Sequence, residues 1–266
     1  MLKPKKSLGQ NFLIDKNIIK KIVSLGRIKE SNIIEIGPGT GNLTKEILKS
    51  DLKKIVLIEK DYNLCKILRE NFKSKKAIEV LNNDILNFDI ENKIKKDCII
   101  FGNLPYNIST QILIKLIKIK IWPPKYKRLV LMFQKEVAER ILAEHNSKKY
   151  GRLSVISNWR LKVAASFKVS KNCFYPKPKV DSMVLVFEPV VNKTYKIQDI
   201  TNLENITQIF FSKKRKMINK AFSIIFKNSL FFSKKLNINL SDRPDQITKD
   251  QYYKITECYE KYKKNI

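Results

Sequence analysis

The first half of this chain repeatedly alternates short apolar runs with longer amphipathic ones. Short runs rich in Ile, Val, Leu and Phe, typical of buried strands, occupy residues 32–36, 54–58, 77–81, 98–101 and 128–133. Apolar residues recur at helical spacing in the segments 43–49, 62–72, 109–119 and 135–143. Strands that alternate with helices form a parallel sheet covered by helices on both faces. The pattern therefore predicts an α/β fold with a doubly wound, mostly parallel sheet.

The pattern changes after Pro189. Before it, residues 159–169 and 183–187 are two further strand candidates, and the second alternates sides, which allows antiparallel pairing with its neighbour. After it, helical spacing dominates in the segments 203–211, 216–225, 230–236 and 249–262. We therefore expect one large domain over residues 1–190 and a small α-helical domain over residues 191–266.

The turn after the first predicted strand, residues 35–41, has the sequence EIGPGTG. In a doubly wound sheet, ligands bind beyond the carboxyl ends of the strands, and glycines there let the backbone approach a ligand closely. The GxGxG spacing differs from the GxGxxG of dinucleotide binders, and Pro38 lacks an N–H for a phosphate. Gly37 and Gly39 are therefore candidate contacts to a nucleoside, with a purely structural turn as the alternative.

Acidic side chains end the next two predicted strands. Glu59 lies about 20 residues beyond the glycines, where a carboxylate accepts hydrogen bonds from ribose hydroxyls. Asp84 follows the third strand and is a candidate acceptor for an adenine amine. The alternatives are an exposed turn carboxylate for Glu59 and a helix cap or turn residue for Asp84. Three such strand ends in succession favour a bound nucleoside.

The turn after the fourth strand, residues 103–106, has the sequence NLPY. An aromatic amine is a poor nucleophile, and acceptors aimed at its hydrogens favour the positive, tetrahedral nitrogen of a methyl-transfer transition state. The Asn103 side-chain oxygen and the Leu104 carbonyl are candidates for these acceptors. Pro105 stiffens the turn, and Tyr106 offers a face on which an extruded base can stack. A Pro-Tyr turn packed on the core is the alternative.

Two other segments add candidate contacts. Residues 9–13, GQNFL, precede an amphipathic helix, and we expect Asn11 and the Leu13 backbone to cover the ligand. The alternative is a helix start stapled by Phe12. Residues 174–180, FYPKPKV, are rigid, basic and aromatic. Phe174 is a candidate second stacking face for the target base, opposite Tyr106, and a stiff connection into the next strand is the alternative.

The net charge of +29, from 54 Lys and Arg against 25 Asp and Glu, predicts a polyanionic partner. Solubility alone needs a net charge of only about 2–8, although compositional drift towards Lys accounts for part of the excess. The run of residues 213–216, KKRK, opens a predicted helix and is a candidate phosphate-binding patch. A solvated helix end is the alternative.

The sequence gives little support for a metalloprotein, a disulfide-bonded protein or a membrane protein. The four cysteines are widely spaced and the only histidine is His145, so we expect no metal site and reduced thiols. No apolar run approaches about 18 residues, which argues against a membrane span. Residues 1–10 are basic and no apolar run follows them, so we expect no secretory signal and a cytoplasmic protein.

Taken together, these residues resemble the family of small-subunit rRNA adenine N6,N6-dimethyltransferases. The resemblance rests on the segments 9–13, 35–41, 58–59, 83–84, 103–109, 133–141 and 174–182, and in the tail on 211–217 and 242–246. It implies a Rossmann-like sheet that binds S-adenosylmethionine, with a small α-helical C-terminal domain that binds rRNA. It also implies dimethylation of two adjacent adenosines near the 3′ end of small-subunit (16S) rRNA, on the pre-30S subunit, during ribosome biogenesis.

The resemblance also implies roles for individual residues. The implied contacts to S-adenosylmethionine are Asn11, Leu13, Gly37, Glu59, Asp84 and Asn103. The residues implied to hold the target adenine are Asn103, Leu104 and Tyr106, with Phe174 stacking on it. We expect a monomer.

Several alternatives stay open at this stage. A related branch methylates one adenosine of large-subunit rRNA and confers antibiotic resistance, but Leu104 and the tail motifs favour the small-subunit branch. Methyltransferases of DNA adenine or of protein glutamine use a similar strand-end motif. A non-catalytic rRNA-binding assembly factor and a nicotinamide oxidoreductase are the remaining alternatives, and the intact residues 103–106 and the glycine spacing weigh against them.

Overall fold

The computed structural model describes residues 4–5, 9–191 and 194–264. Parts of the basic start, residues 1–3 and 6–8, therefore lie outside the described residues. The chain forms two compact units. The first comprises the residues up to Ala138 together with Lys162–Pro189, and the second comprises Glu139–Leu161 and the residues from Val190 onwards.

Strands build the first unit. In the described part of the chain they are β1 (Phe12–Leu13), β2 (Ser31–Ile36), β3 (Leu52–Glu59), β4 (Ile78–Asn82), β5 (Cys98–Asn103), β6 (Tyr126–Gln134), β7 (Leu161–Val169), β8 (Phe174–Tyr175) and β9 (Ser182–Pro189). A seven-stranded sheet has the order β4-β3-β2-β5-β6-β9-β7, and β1 pairs with β8 in a separate two-stranded sheet. The α/β prediction with a doubly wound sheet is thus confirmed.

Pairing within the large sheet is parallel from β4 through to β6. Helices return the chain between most of these strands, as the alternating pattern of the sequence predicts, whereas residues 83–97 connect β4 to β5 by turns. The antiparallel pairing expected for the last strand is confirmed, since β9 runs antiparallel to β6. The expected alternation of β9 is wrong, because residues 182–187 are all buried and the strand is covered on both faces.

Helices flank the sheet and form the second unit. They are α1 (Lys16–Gly26), α2 (Asn42–Ile47), α3 (Tyr62–Asn71), α4 (Ser109–Ile117), α5 (Lys135–Leu142), α6 (Arg152–Arg160), α7 (Ile200–Phe211), α8 (Asn219–Ile225), α9 (Ser229–Leu236) and α10 (Lys249–Lys263). Asp15 caps α1 by accepting hydrogen bonds from two backbone N–H groups of its first turn. A Cβ on Gly26 would lie 2.3 Å from the Phe101 ring, so α1 packs closely on β5.

Two predicted helical features differ in the structure. The sequence pattern does not predict α6, because the residues of this helix are buried nearly all round and show no amphipathic period. Trp159, which the pattern places at the start of a strand, lies in this helix. The basic run Lys213–Lys216 does not open a helix, since it forms a turn after α7 and the next helix begins only at Asn219.

The second unit packs α6 against α7 and α10. The Tyr253 hydroxyl donates a hydrogen bond of 2.8 Å to the Val155 carbonyl and thereby ties α10 to α6. Residues 139–161, which the sequence pattern assigns to the large domain, therefore group with the helical tail. Within the described ranges, no helix is both long and apolar enough to cross a membrane.

Candidate active site

A cleft opens at the carboxyl ends of the parallel strands in the first unit. Its walls come from residues 9–13 and from the segments that follow β2, β3, β4 and β5. The predicted residues that line it are Asn11, Leu13, Gly37, Gly39, Glu59, Asp84, Asn103, Leu104, Pro105 and Tyr106. Parallel strands bring these positions together because their carboxyl ends share one edge of the sheet.

The glycine turn needs its glycines. Gly37 and Gly39 have φ angles of +69° and +57°, a region that side chains with a Cβ rarely adopt. The Gly37 N–H donates a hydrogen bond of 2.9 Å to the Ile58 carbonyl, which ties the turn to the end of β3. A Cβ on Gly39 would lie 2.9 Å from the Phe12 ring. The turn therefore lies directly beneath β1.

Glu59 is buried at the end of β3, with 7% of its surface exposed. Its two carboxylate oxygens accept hydrogen bonds from the Gly39 N–H at 3.1 Å and the Asp61 N–H at 2.9 Å. Burial raises the pKa of Glu59, while these two backbone donors oppose the shift. Each oxygen retains a second lone pair, so the carboxylate is fixed in place and can still accept hydrogen bonds from a diol.

Asp84 joins the cleft as a turn residue. Its Oδ1 accepts a hydrogen bond of 3.0 Å from the Leu86 N–H, and its Oδ2 lies 2.9 Å from the Lys60 ammonium. The hydrogen bond from Lys60, and then that from Leu86, hold the pKa of Asp84 below its usual value. The turn role and the acceptor role are thus compatible, because a carboxylate offers about four lone pairs.

Asn103 ends β5 and has a defined amide orientation. Its Nδ2 donates a hydrogen bond of 3.1 Å to the main-chain carbonyl of Asn11. Only the NH₂ end of an amide can donate to a carbonyl, so the side-chain oxygen is left as the acceptor. The Asn11 side chain in turn donates to the Gly9 carbonyl at 3.2 Å.

In the turn after Asn103, Leu104 and Pro105 contribute their backbone carbonyls and Tyr106 contributes its side chain. The Leu104 side chain packs inward, close to the position that a Cβ on Gly102 would take, so its carbonyl rather than its side chain is the group for the cleft. The Pro105 carbonyl accepts a hydrogen bond of 3.1 Å from the Ile108 N–H. The Tyr106 hydroxyl lies 2.6 Å from the Ser182 hydroxyl, and burial raises the pKa of this tyrosine.

The β1–β8 pair covers one side of the cleft and separates two neighbouring aromatic rings. Phe12 stands opposite Tyr175, and Leu13 stands opposite Phe174. Phe174 is only 3% exposed and belongs to the apolar core, whereas Tyr175 is 60% exposed. The structure therefore does not bring Phe174 into the cleft beside Tyr106. Successive side chains of a strand point to opposite faces, so Phe174 points into the core and Tyr175 points to solvent.

Sequence reasoning missed three residues of the cleft and its border. Glu35, which is 1% exposed, accepts a hydrogen bond of 2.7 Å from the Thr44 hydroxyl, and burial raises its pKa to about 8. Asn42 donates to the Leu13 carbonyl at 2.9 Å. Gln10 donates to Asp61 at 3.2 Å. The signal for Glu35 was present, since a carboxyl inside an apolar strand is unusual.

The hydrogen-bond acceptors of the cleft fit an adenosine whose tail carries a positive charge or none. The cleft combines two carboxylates, each held by backbone N–H groups and still able to accept hydrogen bonds, with a glycine turn whose Pro38 offers no N–H to a phosphate. These groups match S-adenosylmethionine. In the described part of the chain, no group of three or more His, Cys, Asp or Glu side chains could hold a metal ion.

Comparisons with known proteins identify the family of the chain. The model of the family "Ribosomal RNA adenine dimethylase" matches residues 1–261. The "Ribosomal RNA small subunit methyltransferase A" of Pelagibacter ubique is 45% identical over 262 residues, which cover 97% of this chain and 98% of the relative. The protein of the same name from Wolbachia pipientis is 39% identical and covers 95% of both chains.

Solved structures share the fold. A dimethyladenosine transferase from Plasmodium falciparum has a TM-score of 0.81 and 27% identity, covering 96% of this chain and 98% of its own. The 23S rRNA methyltransferase ErmE has a TM-score of 0.67 and 20% identity, covering 94% of this chain and 99% of its own, a likeness of fold alone. With a family match along nearly its whole length, this chain belongs to the ribosomal RNA adenine dimethylase family and is an S-adenosylmethionine-dependent methyltransferase.

Proposed function

We propose that this enzyme dimethylates the N6 amino groups of two adjacent adenosines near the 3′ end of small-subunit rRNA, during assembly of the small ribosomal subunit. The curated relatives at 45% and 39% identity carry the name of a small-subunit rRNA methyltransferase. The observation that carries the proposal is the orientation of Asn103, whose amide is held by the Asn11 carbonyl with its oxygen left to accept.

The chemistry asks the protein mainly for hydrogen-bond acceptors. S-adenosylmethionine, when bound, supplies a methyl group on a positively charged sulfur. The Asn103 side-chain oxygen and the Leu104 carbonyl accept hydrogen bonds from the adenine amine and so favour a tetrahedral, positive nitrogen. Because these acceptors are fixed before the base arrives, little reorganisation is needed. The methylated nitrogen is acidic and loses its proton readily, so no strong base is required.

The cofactor contacts follow from the lining of the cleft. Glu59 accepts hydrogen bonds from the ribose hydroxyls, and Asp84 accepts one from the adenine amine of the cofactor. Gly37 and Gly39 let the backbone approach the ligand. Asn11, Leu13 and Asn103 complete the site on the side of β1.

Tyr106 is the stacking face for the target base. Its hydroxyl is tied to Ser182, which fixes the plane of the ring. Base–aromatic stacking contributes about 1–3 kcal/mol, enough to hold an extruded base beside the acceptors. Phe174 contributes from the core, where it supports the β1–β8 pair from beneath.

The helical tail, residues 191–266, is the proposed rRNA-binding domain, and it forms one unit with residues 139–161. The rest of the predicted catalytic domain, within residues 1–190, holds the cleft. Lys213, Arg215 and Lys216 are exposed in the turn after α7, and the net charge of +29 suits a polyanion. Lys214 differs, because its ammonium donates to the Lys148 and Tyr150 carbonyls at 2.7 and 2.8 Å. We propose a monomer that acts in the cytoplasm on the pre-30S subunit.

A substrate comparison tests the proposal. The enzyme is incubated with labelled S-adenosylmethionine and, separately, with undermethylated small subunits, large-subunit rRNA and duplex DNA. We expect label only in small-subunit rRNA, at two adjacent adenosines that each carry two methyl groups. Label in large-subunit rRNA would favour the antibiotic-resistance type of activity. Binding of small subunits without any label would leave a non-catalytic assembly factor.

A further inference from the structure

Asp61 lies two residues beyond Glu59, where α3 begins, and makes contacts that the chemistry above does not use. Its side chain is 4% exposed and its Oδ2 lies 3.0 Å from the ammonium of Lys5, which is half exposed. The same oxygen accepts a hydrogen bond of 3.2 Å from the Gln10 Nε2. A buried carboxylate thus binds two groups that precede β1.

Gln10 is held at both ends of its amide. Its Nε2 donates to Asp61, and its Oε1 accepts a hydrogen bond of 2.8 Å from the Lys5 N–H. Both polar atoms of the amide therefore have a partner, and these partners fix the orientation of the side chain.

The residue after Gln10 reaches the other side of the cleft. The Asn11 carbonyl accepts the hydrogen bond of Asn103, at the end of β5. Asp61, in contrast, follows β3, and its own N–H donates to Glu59. Residues 10 and 11 therefore bridge the ribose side of the cleft and the side of the target amine, with one anchor at each end.

We propose that Asp61 is a positioning residue, which acts through Gln10 to hold residues 10–11 across the cofactor cleft. This inference rests on the proposed methyl transfer. The bridge has two effects: it retains the bound cofactor beneath residues 10–11, and it keeps the Asn11 carbonyl where it orients the Asn103 amide. Loss of the anchor at Asp61 weakens cofactor binding first and slows methyl transfer second.

A merely structural role for Asp61 makes a different prediction. Asp61 also caps α3, because its Oδ1 accepts a hydrogen bond of 3.0 Å from the Asn63 N–H. Asn is as good a helix cap as Asp, so Asp61→Asn keeps the cap while it removes the charge that faces Lys5 and the acceptor that faces Gln10. Thermal stability would therefore report on the cap, and cofactor affinity would report on the bridge.

The test exchanges the two partners. Asp61→Asn, Gln10→Glu and the double variant are compared with the unchanged enzyme, and binding of S-adenosylhomocysteine is measured by calorimetry without RNA. Asp61→Asn turns two donors towards each other, and Gln10→Glu turns two carboxylates towards each other. In the double variant, the amide at position 61 donates to the carboxylate at position 10. The other oxygen of that carboxylate still accepts the hydrogen bond from the Lys5 N–H. Glu79→Gln, which breaks salt bridges with Lys54 and Lys93 outside the cleft, is the matched control.

We expect each single variant to bind S-adenosylhomocysteine about tenfold more weakly, as for a lost charge-assisted hydrogen bond, with an unchanged melting temperature. The double variant should recover most of the affinity, and Glu79→Gln should match the unchanged enzyme. In methylation assays, the KM for the cofactor should rise more than kcat falls. Equal affinities for all variants, or weak binding that the double variant does not restore, would overturn the bridge. Failure of the unchanged enzyme to methylate small-subunit rRNA, despite normal cofactor binding, would instead overturn the proposed substrate.

Discussion

The Asn103 amide donates its hydrogen bond to the Asn11 main chain across 92 positions of sequence. The main-chain carbonyl of Asn11, which precedes β1, thus determines that the oxygen of the Asn103 amide, and not its NH₂ group, faces the cleft. Orientation of the amide is a property of the folded unit rather than of the NLPY motif itself, because an isolated turn leaves both amide rotamers open.

This relationship makes Asn103→Ala the most direct test of the catalytic turn. The substitution removes one fixed acceptor, and loss of a single preorganised hydrogen-bonding group costs about 100-fold or more in kcat. We expect methylation of small-subunit rRNA to fall at least that far, while RNA affinity measured by filter binding stays within twofold. Asn92→Ala, on the surface outside the cleft, is the control. Full activity of Asn103→Ala would remove the role assigned to it.

Tyr106 separates stacking from hydrogen bonding. Tyr106→Phe keeps the ring and loses only the bond to Ser182, so we expect nearly unchanged methylation and a loss of about 1 kcal/mol in the free energy of unfolding. Tyr106→Ala loses the stacking face, and kcat/KM for RNA should fall about tenfold to a hundredfold. Equal losses for the two variants would show that the hydroxyl, rather than the ring, is the important group.

Gly39 tests the close approach of the glycine turn to β1. Gly39→Ala places a Cβ at φ +57° and within 2.9 Å of the Phe12 ring, so we expect a loss of about 2 kcal/mol in stability and weaker cofactor binding. Gly151→Ala is the matched control, because Gly151 has an extended backbone and no atom within 4 Å of the new Cβ. The denaturation midpoints of the two variants measure their stability. A Gly39→Ala midpoint equal to that of the control would contradict the packing.

Glu35 should make stability depend on pH. Burial raises its pKa from 4.5 to about 8, partly opposed by the Thr44 hydroxyl and reinforced by Glu59. Between these two pH values the folded protein holds a proton that the unfolded chain has released, so the free energy of unfolding falls as the pH rises. Glu35→Gln keeps an acceptor for Thr44 and removes the titration. Its stability relative to the unchanged protein should therefore increase from pH 4.5 to 8, and parallel stability curves would refute the shift.

The tail patch predicts a change in salt dependence. Replacing Lys213, Arg215 and Lys216 by Gln should lower the slope of log affinity for RNA against log salt by about 2, as counterion release requires for single strands. Lys214→Gln should instead lower the thermal stability, because it removes two hydrogen bonds to backbone carbonyls. An unchanged salt slope in the triple variant would leave the three side chains as solvated surface.

The amino-acid pattern predicts most strands of the sheet and the site residues that follow them. The strands and their carboxyl-end residues could be predicted because buried parallel strands have dense apolar runs and the site residues follow them directly. The helix α6 could not, because it is buried nearly all round and has no polar face to reveal its period.

The side-chain partners of the site were beyond the sequence pattern. Whether Phe174 or Tyr175 turns inward depends on the register of β8 against β1, and a shift of one residue exchanges the two faces. The division of the basic run into an anchored Lys214 and three exposed side chains depends on contacts with residues 148–150, more than sixty positions away. Such long-range contacts leave no local periodicity.

The pairing of Phe12 with Tyr175 joins the beginning and the end of the catalytic unit. During translation, β1 emerges early and has no strand partner until residue 175 has left the ribosome. The covered cleft is thus completed late in synthesis, and a nascent chain that stops earlier lacks it.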